Sequence, residues 1–336
     1  MSSLLLSRRD VEFLLFEWLD VTRLTERPAF ADHSRQTFDA ALDTYSEIAH
    51  AEFAPHNKKV DREPPRLVGE NVVSAPEQRS ALQAFAAAGL LAACQEEPFG
   101  GMRLPYVVER AGLAFVLAAC PTTAAYAFLT MANANLLLAH GTPSQVERFV
   151  RPMLDGRWTG TMCLSEPHAG SSLADITMRA ERQADGSYRL TGNKMWISGG
   201  DHDLADNIVH LVLAKVPDER GALRAGVAGI SLFVVPKYTA PGVRNDIVVA
   251  GLNHKMGYRG TSNCLLNFGE ERGAVGELIG EEGRGLAYMF QMMNEARITV
   301  GLGAAAIGYA GYLHSVDYAR NRRQGRLPGQ GFCTIQ

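Results

Sequence analysis

Hydrophobic positions change their spacing along this chain. Up to about residue 155 they recur at steps of three and four, as in DVEFLLFEWLDVTRL (10–24) and QTFDAALDTYSEIAHAEF (36–53). That is the period of amphipathic helices, and strand-like alternation is rare there. SAPEQRSALQAF (74–85) and TPSQVERFVRPML (142–154) each place a hydroxyl residue just ahead of a proline, a helix-start signal, while Pro55 and DREPP (61–65) mark turns between helices. Near residue 156 the period shortens. RWTGTMCLSE (157–166), SYRLTGNKMWISGG (187–200), NIVHLVLAKV (207–216), GISLFVVPK (229–237) and CLLNFGE (264–270) are short and rich in β-branched or aromatic residues, with Gly, Asp and Asn between them. This predicts a compact sheet or barrel. Helical spacing then returns. Positions 286, 290, 293, 297, 300, 304, 307 and 311 alternate steps of four and three, and all but Arg297 and Gly311 are apolar. They predict the inward face of one long helix, or of two in succession.

The expected fold class is therefore α+β: a helical N-terminal domain (1–155), a middle β-barrel or sandwich (156–275), and the start of a C-terminal helical domain (276–336). Two helices rarely bury a core alone, and the closing LPGQGFCTIQ carries no helical period. The expectation is of a chain cut short, or completed by another chain. A length of 336 residues suits two or three domains, and 46% hydrophobic with 21% charged residues suits a soluble globular protein. The formal charge of −3 offers no nucleic-acid footprint. Five cysteines (94, 120, 163, 264, 333) are scattered and never spaced CxxC, which argues against disulfides or zinc and fits a reducing cytoplasm. The longest apolar run, AGLAFVLAAC (111–120), stops at Pro121, too short for a membrane span.

Several motifs read best as packing. ITVGLGAAAIG (298–308) contains G-x-G-x-x-A, but it lies inside the helical stripe, where small residues let helices approach. The nine histidines form no metal-ligand pair, and His210 in IVHLVL reads as a half-buried strand residue. GTSNC (260–264) lacks a nucleophile elbow, and Met289, Met292 and Met293 read as core.

One stretch resists the bland reading. MCLSEPHAGSS (162–172) puts a Pro, a Gly and three Ser into eleven residues. It is either a strand end running into a turn, or a loop whose backbone and hydroxyls hold a polar ligand. GNKMWISGG (192–200) and HKMGYRGTSN (254–263) follow it. The order L-S-E-P-x-A-G-S, G-x-K-x-W-I-S, K-M-G-x-R closely resembles the acyl-CoA dehydrogenase family, and YARNRRQGR (318–326) resembles that family's Y-A-x-x-R-x-x-G segment. The resemblance runs from about residue 80 to 326. Within the family, GTMCLSEPHAGSSLADI and GNKMWISGGDHDLADNIVHLVLAKV are most similar to the extended subgroup that includes methylthiopropanoyl-CoA dehydrogenases.

The resemblance implies FAD held between the middle domain and a C-terminal four-helix domain, and α,β-dehydrogenation of an acyl-CoA thioester with hydride transfer to flavin N5. Carried over by motif, Ser165 would meet the flavin's pyrimidine edge, with Met162, Leu164 and Gly170 in the same loop. Ser171 would sit near the pyrophosphates of FAD or CoA. Trp196 would lie against the ring and the Ser198 hydroxyl would reach N5. Arg297, on the apolar stripe, would need an anion or carboxylate if buried; by resemblance, it and Asn294 contact the CoA portion. Arg322 and Gln324 would reach the FAD of a partner subunit, implying a homo-oligomer. An electron-transferring flavoprotein is the implied electron acceptor.

The catalytic base breaks the pattern. Most relatives carry a Glu late in the C-terminal domain, and some carry one in the long helix just before the Arg, where this chain has Ala296. Glu295 is one residue away, about a hundred degrees round the helix, which makes it a poor base; Glu166 is fixed in the loop. The alternative is a non-catalytic remnant that binds flavin and acyl-CoA. A DNA-protective role would need a basic C-terminal surface that the charge balance does not supply. Phe128, Met131 and Asn133 in AFLTMANANLLL either shape the acyl pocket or pack a helix on the β-domain.

Overall fold

The computed structural model describes residues 4–326, 329 and 332–334. Its first part is helical, as the spacing predicts. A short α1 (Arg8–Glu12) runs into a wider π turn ending at Trp18. α2 (Arg35–Ile48) is opened by Ser34, whose hydroxyl accepts the Thr37 N–H at 3.3 Å while the Thr37 hydroxyl accepts the Ser34 N–H at 2.8 Å. This reciprocal cap satisfies donors that a helix start leaves unpaired. α3 (Asn57–Arg62) and α4 (Pro76–Ala87) follow, separated by a hairpin of β1 (Arg66–Val68) and β2 (Asn71–Val73). The hairpin is invisible in the sequence because each strand has three residues and only Val72 is buried.

α5 (Tyr106–Ala119) and α6 (Pro121–His140) meet at Cys120. Pro121 cannot donate to continue α5, yet suits the first turn of α6. α6 is mostly apolar and buried over most of its length, as a helix enclosed on several sides must be. α7 (Pro143–Gln145) and α8 (Arg151–Leu154) flank a π turn and complete the helix expected over 142–154.

The middle of the chain forms a twisted sheet of β3 (Trp158–Cys163), β4 (Arg179–Arg182), β5 (Tyr188–Ser198), β6 (Asn207–Lys215), β7 (Ile230–Pro236), β10 (Ile247–Leu252), β11 (Asn263–Phe268) and β12 (Ala274–Ile279). A small hairpin of β8 (Tyr238–Ala240) and β9 (Val243–Arg244) lies between β7 and β10. The order across the sheet is β10-β11-β5-β12-β7-β6-β3, with β3 and β6 parallel. β4 pairs with both β5 and β6, which closes part of the sheet into a barrel around Leu190, Val212, Phe233 and Val235. β12 carries the sheet past residue 275, the boundary expected from sequence.

β6 is buried on both faces. Val209, Leu211 and Leu213 join the helical core, while Val212 and Ala214 face the barrel interior. A doubly covered strand reads as an unbroken apolar run. His210 is accordingly fully buried, not half-buried, and burial pushes its pKa down to about 3, keeping the ring neutral. α6 lies across β3, and Gly160 makes the approach possible: a Cβ there would stand 2.6 Å from that of Asn133. Asn133 in turn donates to the carbonyls of Thr161 (3.1 Å) and Val209 (2.9 Å).

The C-terminal helical stretch is one helix, α9 (Gly285–Asn321), followed by a hairpin of β13 (Arg323–Arg326) and β14 (Phe332–Thr334). Its buried face is Gly285, Met289, Met292, Ala296, Thr299, Gly303, Ala306 and Ala310, one residue off the predicted apolar stripe. Phe290, Val300 and Ile307 on that stripe are 41%, 55% and 41% exposed. The reason is close packing. α9 lies against α5 and α6, and small side chains let the helix axes approach, with Gly303 over Leu117. The G-x-G-x-x-A pattern belongs to this helix, and Met289 and Met292 are core.

Behind α9, the helices enclose a polar cluster. Glu109 is fully buried with a carboxylate oxygen 3.0 Å from Arg110 Nε, and Arg110 donates to the Thr299 hydroxyl at 3.0 Å. Glu295 accepts from Asn135 at 2.8 Å, and Asn135 accepts from Gln95 at 2.6 Å. Burial pushes the Glu109 carboxyl up to about 7; Arg110 opposes this and the Glu295 charge adds to it. A carboxyl that titrates near 7 when folded and near 4.5 when unfolded holds its proton more firmly in the native state. Stability is therefore lost as pH rises through that window. Urea unfolding should show Glu109→Gln gaining about 2–4 kcal/mol on the wild type between pH 4.5 and 8. A difference that stays constant with pH would remove Glu109 from the titration.

Candidate functional site

The MCLSEPHAGSS segment leaves the sheet at the end of β3, and a buried ion pair sets its path. Lys194 on β5 is fully enclosed. Its ammonium donates to the Leu164 carbonyl at 2.8 Å and to Glu166 at 3.1 Å. Glu166 also accepts from the Thr177 N–H (2.8 Å), the Thr177 hydroxyl (3.0 Å) and the Met178 N–H (3.1 Å). Burial alone would raise the Glu166 pKa, but Lys194 and these donors hold it below its ordinary value. For Lys194, burial prevails over its partner and lowers the pKa. Glu166 and Ala169 exchange backbone hydrogen bonds across the turn, and Met195 N–H reaches the Ser165 carbonyl at 2.9 Å. The Ser165 N–H and hydroxyl make no hydrogen bond to the described residues and remain available as donors.

β5 contributes by a bulge. Its pairing with β11 slips between Lys194 and Ile197, so Met195 and Trp196 together face a single residue. Trp196 has φ of +65° and is 56% exposed. Among the described residues only Asp20, Arg103, Trp196 and Tyr258 have positive φ without being glycine. A bulky side chain held there costs on the order of 1–3 kcal/mol and marks a conformation imposed by its surroundings. Trp196 and Tyr258, the two aromatic members, line the same cleft.

That cleft, of about 330 Å³, lies among β3, β5, α6, α9 and the loop before β11. Thr161 and Met162 come from β3, Trp196 and Ser198 from β5, Phe128 and Leu129 from α6, Lys255 and Tyr258 from the loop, and Ala296 and Val300 from α9. Burial lowers the Lys255 pKa to about 8 and raises the Tyr258 pKa to about 12. An aromatic surface, apolar walls, hydroxyls and nearby free N–H donors suit a flat aromatic ring with one polar edge. No Asp or Glu lines the cleft among the described residues, and no cluster there could hold a metal ion.

The predicted residues divide accordingly. Met162, Trp196 and Ser198 line the cleft, while Leu164, Ser165, Gly170 and Ser171 continue from it along the loop, Gly170 and Ser171 being exposed. Asn294 and Arg297 are both exposed, with Arg297 Nη1 donating to Asn294 at 2.9 Å and stacked on Phe290. Arg297 is thus not the buried cation that the stripe implied, because the stripe is the open face of α9. Glu295 is on the opposite side of α9 from that role: its carboxylate faces Asn135 in the polar cluster, while Ala296 faces the cleft. Arg322 ends α9, its N–H bonded to the Tyr318 carbonyl at 2.8 Å, and Gln324 lies in β13. Phe128 lines the cleft, Met131 is core and Asn133 faces the sheet, so the MANAN helix serves both purposes. Lys255 and Tyr258 were given no role by the sequence. Their segment was legible as a motif, but the turn that aims them was not.

Comparison with known proteins bears on this cleft. Residues 36–157 match the family model "Acyl-CoA dehydrogenase, N-terminal domain" and residues 161–270 match "Acyl-CoA dehydrogenase, middle domain". The chain is 34% identical to a butyryl-CoA dehydrogenase of Syntrophomonas wolfei over 94% of this chain and 53% of the relative. It is 36% identical to the 3-methylmercaptopropionyl-CoA dehydrogenase of Ruegeria pomeroyi over 95% of this chain and 54% of the relative. It thus spans about half the length of these relatives. In fold it is similar to an acyl-CoA dehydrogenase from Bacillus anthracis complexed with FAD, with a TM-score of 0.71 at 23% identity over 89% of this chain and 47% of that one.

The ion pair beneath the loop can be tested directly. Lys194→Met leaves Glu166 buried without its counter-charge, and should lower stability by about 3–5 kcal/mol. Adding Glu166→Gln should recover part of that loss in thermal denaturation. A double variant as unstable as the sum of the single losses would show the two residues to be uncoupled.

Proposed function

Because this chain belongs to the acyl-CoA dehydrogenase family, we propose that its cleft holds FAD and an acyl-CoA thioester for α,β-dehydrogenation. The observation that carries this reading is the convergence of three separated motifs, through Met162, Trp196 with Ser198, and Lys255 with Tyr258, on one cleft walled by α6 and α9. Bound FAD would supply the hydride acceptor. The chain's own residues would do the rest. Trp196 and Met162 offer surfaces for the ring, while Ser198 and the Ser165 N–H and hydroxyl offer donors to its polar edge. Phe128, Leu129 and Ala296 would keep water from the reacting carbons, where low polarity strengthens every hydrogen bond to the thioester.

Arg297 and Asn294 stand on the open face of α9, with guanidinium N–H groups free for the phosphates of CoA. Ser171 joins that path from the loop. Electron transfer to an electron-transferring flavoprotein, a homo-oligomer joined near Arg322 and Gln324, and a cytoplasmic setting belong to the same reading. No helix among the described residues is long and apolar enough to cross a membrane.

One observation favours a second reading, binding without turnover: the described cleft presents no carboxylate to take the α-proton. One experiment separates the two. Purified chain incubated with FAD should keep a resolved flavin spectrum through gel filtration. Trp196→Ala should weaken retention by roughly three- to tenfold, the worth of one aromatic stacking contact. Bleaching on addition of butyryl-CoA would mean turnover, and a spectral shift without bleaching would mean binding alone. A chain that retains no flavin would overturn both.

A further inference from the structure

Past Lys255 and Thr261 lies a second cavity of about 190 Å³, bounded by Pro64 and Pro65 on one side and by the 252–263 segment on the other. Three basic residues line it, His254, Lys255 and Arg259, and among the described residues no Asp or Glu does. Arg259 has a buried Nε without a partner, and its guanidinium makes no ion pair or hydrogen bond to the described residues. The Lys255 ammonium donates once, to the Thr261 carbonyl at 2.6 Å, leaving two of its three N–H groups unassigned. Asn253 and Ser262 add polar side chains to the wall.

Two cations flanking a partly buried space without a counter-charge are held together at a cost, since a desolvated charge is stable only when paired. Burial already weakens the Lys255 proton affinity. A planar guanidinium and a compact ammonium lining one cavity suit an oxyanion, the first by a two-pronged hydrogen bond and the second as a point charge.

We propose that this cavity is an oxyanion site, in which Lys255 and Arg259 bind a carboxylate or phosphate group at the far side of the cleft. A phosphoryl source is independent of what fills the cleft itself, whereas an acyl carboxylate rests on the proposed function. The oxyanion has two candidate sources, the terminal carboxylate of an acyl chain or a free phosphoryl group, and both meet the same two cations.

Chemical labelling locates the site without relying on a variant. Purified chain is acetylated with acetic anhydride at pH 8 and read by peptide mass spectrometry, with exposed Lys58 as the internal reference. Inorganic phosphate or glutarate, at about four times its dissociation constant, should slow Lys255 acetylation about fivefold relative to Lys58. Arg259→Met should abolish that protection. Protection by phosphate alone points to a phosphoryl source, and protection by glutarate alone to a carboxylate; either supports the site. Lys255 labelling unchanged by both anions, equal slowing at Lys58 and Lys255, or full protection persisting in a folded Arg259→Met would overturn it.

Discussion

The cleft depends on one buried ion pair. Lys194 sits beneath the 162–172 loop with no access to water, where an ammonium is stable only beside a counter-charge with well-formed hydrogen bonds. Glu166 meets that demand, and it can stay charged because Thr177 and Met178 supply three further donors. Each Glu166 oxygen therefore accepts from two donors, and the pair's members constrain different segments. Glu166 belongs to the loop and Lys194 to β5, so one contact joins the L-S-E-P and G-N-K-M-W motifs. A loop containing a proline, a glycine and three serines has little order of its own. The pair gives it one geometry, and with it the direction of the Ser165 N–H and hydroxyl.

The same contact explains the strain beside it. Lys194 and Ile197 both remain in register with β11, but the two residues between them face only one across the ladder. The extra residue must leave the sheet, and Trp196 leaves it with a left-handed backbone and its ring toward solvent. In isolation, an exposed tryptophan at positive φ is unfavourable twice over, by strain and by hydration. It persists because the neighbouring pairs over-determine it. The opposite wall is rigid for another reason: α6 touches β3 at Gly160 and is bonded to two sheet carbonyls through Asn133. The cleft is thus bounded by elements that cannot move apart without breaking buried polar contacts.

Much of this was legible before the fold was seen. Period-3.6 and short β-branched segments separated helices from sheet, and Pro121 stopped the longest apolar run. Two of the three motifs marked the cleft, one through Met162 and the other through Trp196 and Ser198. The long helix was read one residue out of phase. Sequence periodicity reports where bulky apolar residues lie, whereas α9 packs through its small ones, so Ala296 and Gly303 are inside and Phe290 and Val300 outside. That shift moved Arg297 from a supposed interior to an open face. The β1–β2 hairpin and the aim of Tyr258 were not legible, because strands of three residues and a single left-handed residue leave no periodic trace.

The phase of α9 also decides the electrostatics of the cleft. On this helix, Ala296 and Val300 face the cleft while Glu295 and Thr299 face the polar cluster behind it, so the carboxylate nearest in sequence is held on the wrong side by Asn135. Rotating it inward would require breaking that bond and turning a close-packed helix by a full residue. The cleft consequently presents one titratable cation, Lys255, and no carboxylic acid among the described residues. Such a site favours anionic ligands. Burial lowers the pKa of that lysine to about 8, so it sheds its proton more readily than a solvated one. The phase of α9 thus gives the cleft its basic character: it turns the Glu295 carboxylate away and puts Ala296 in the wall.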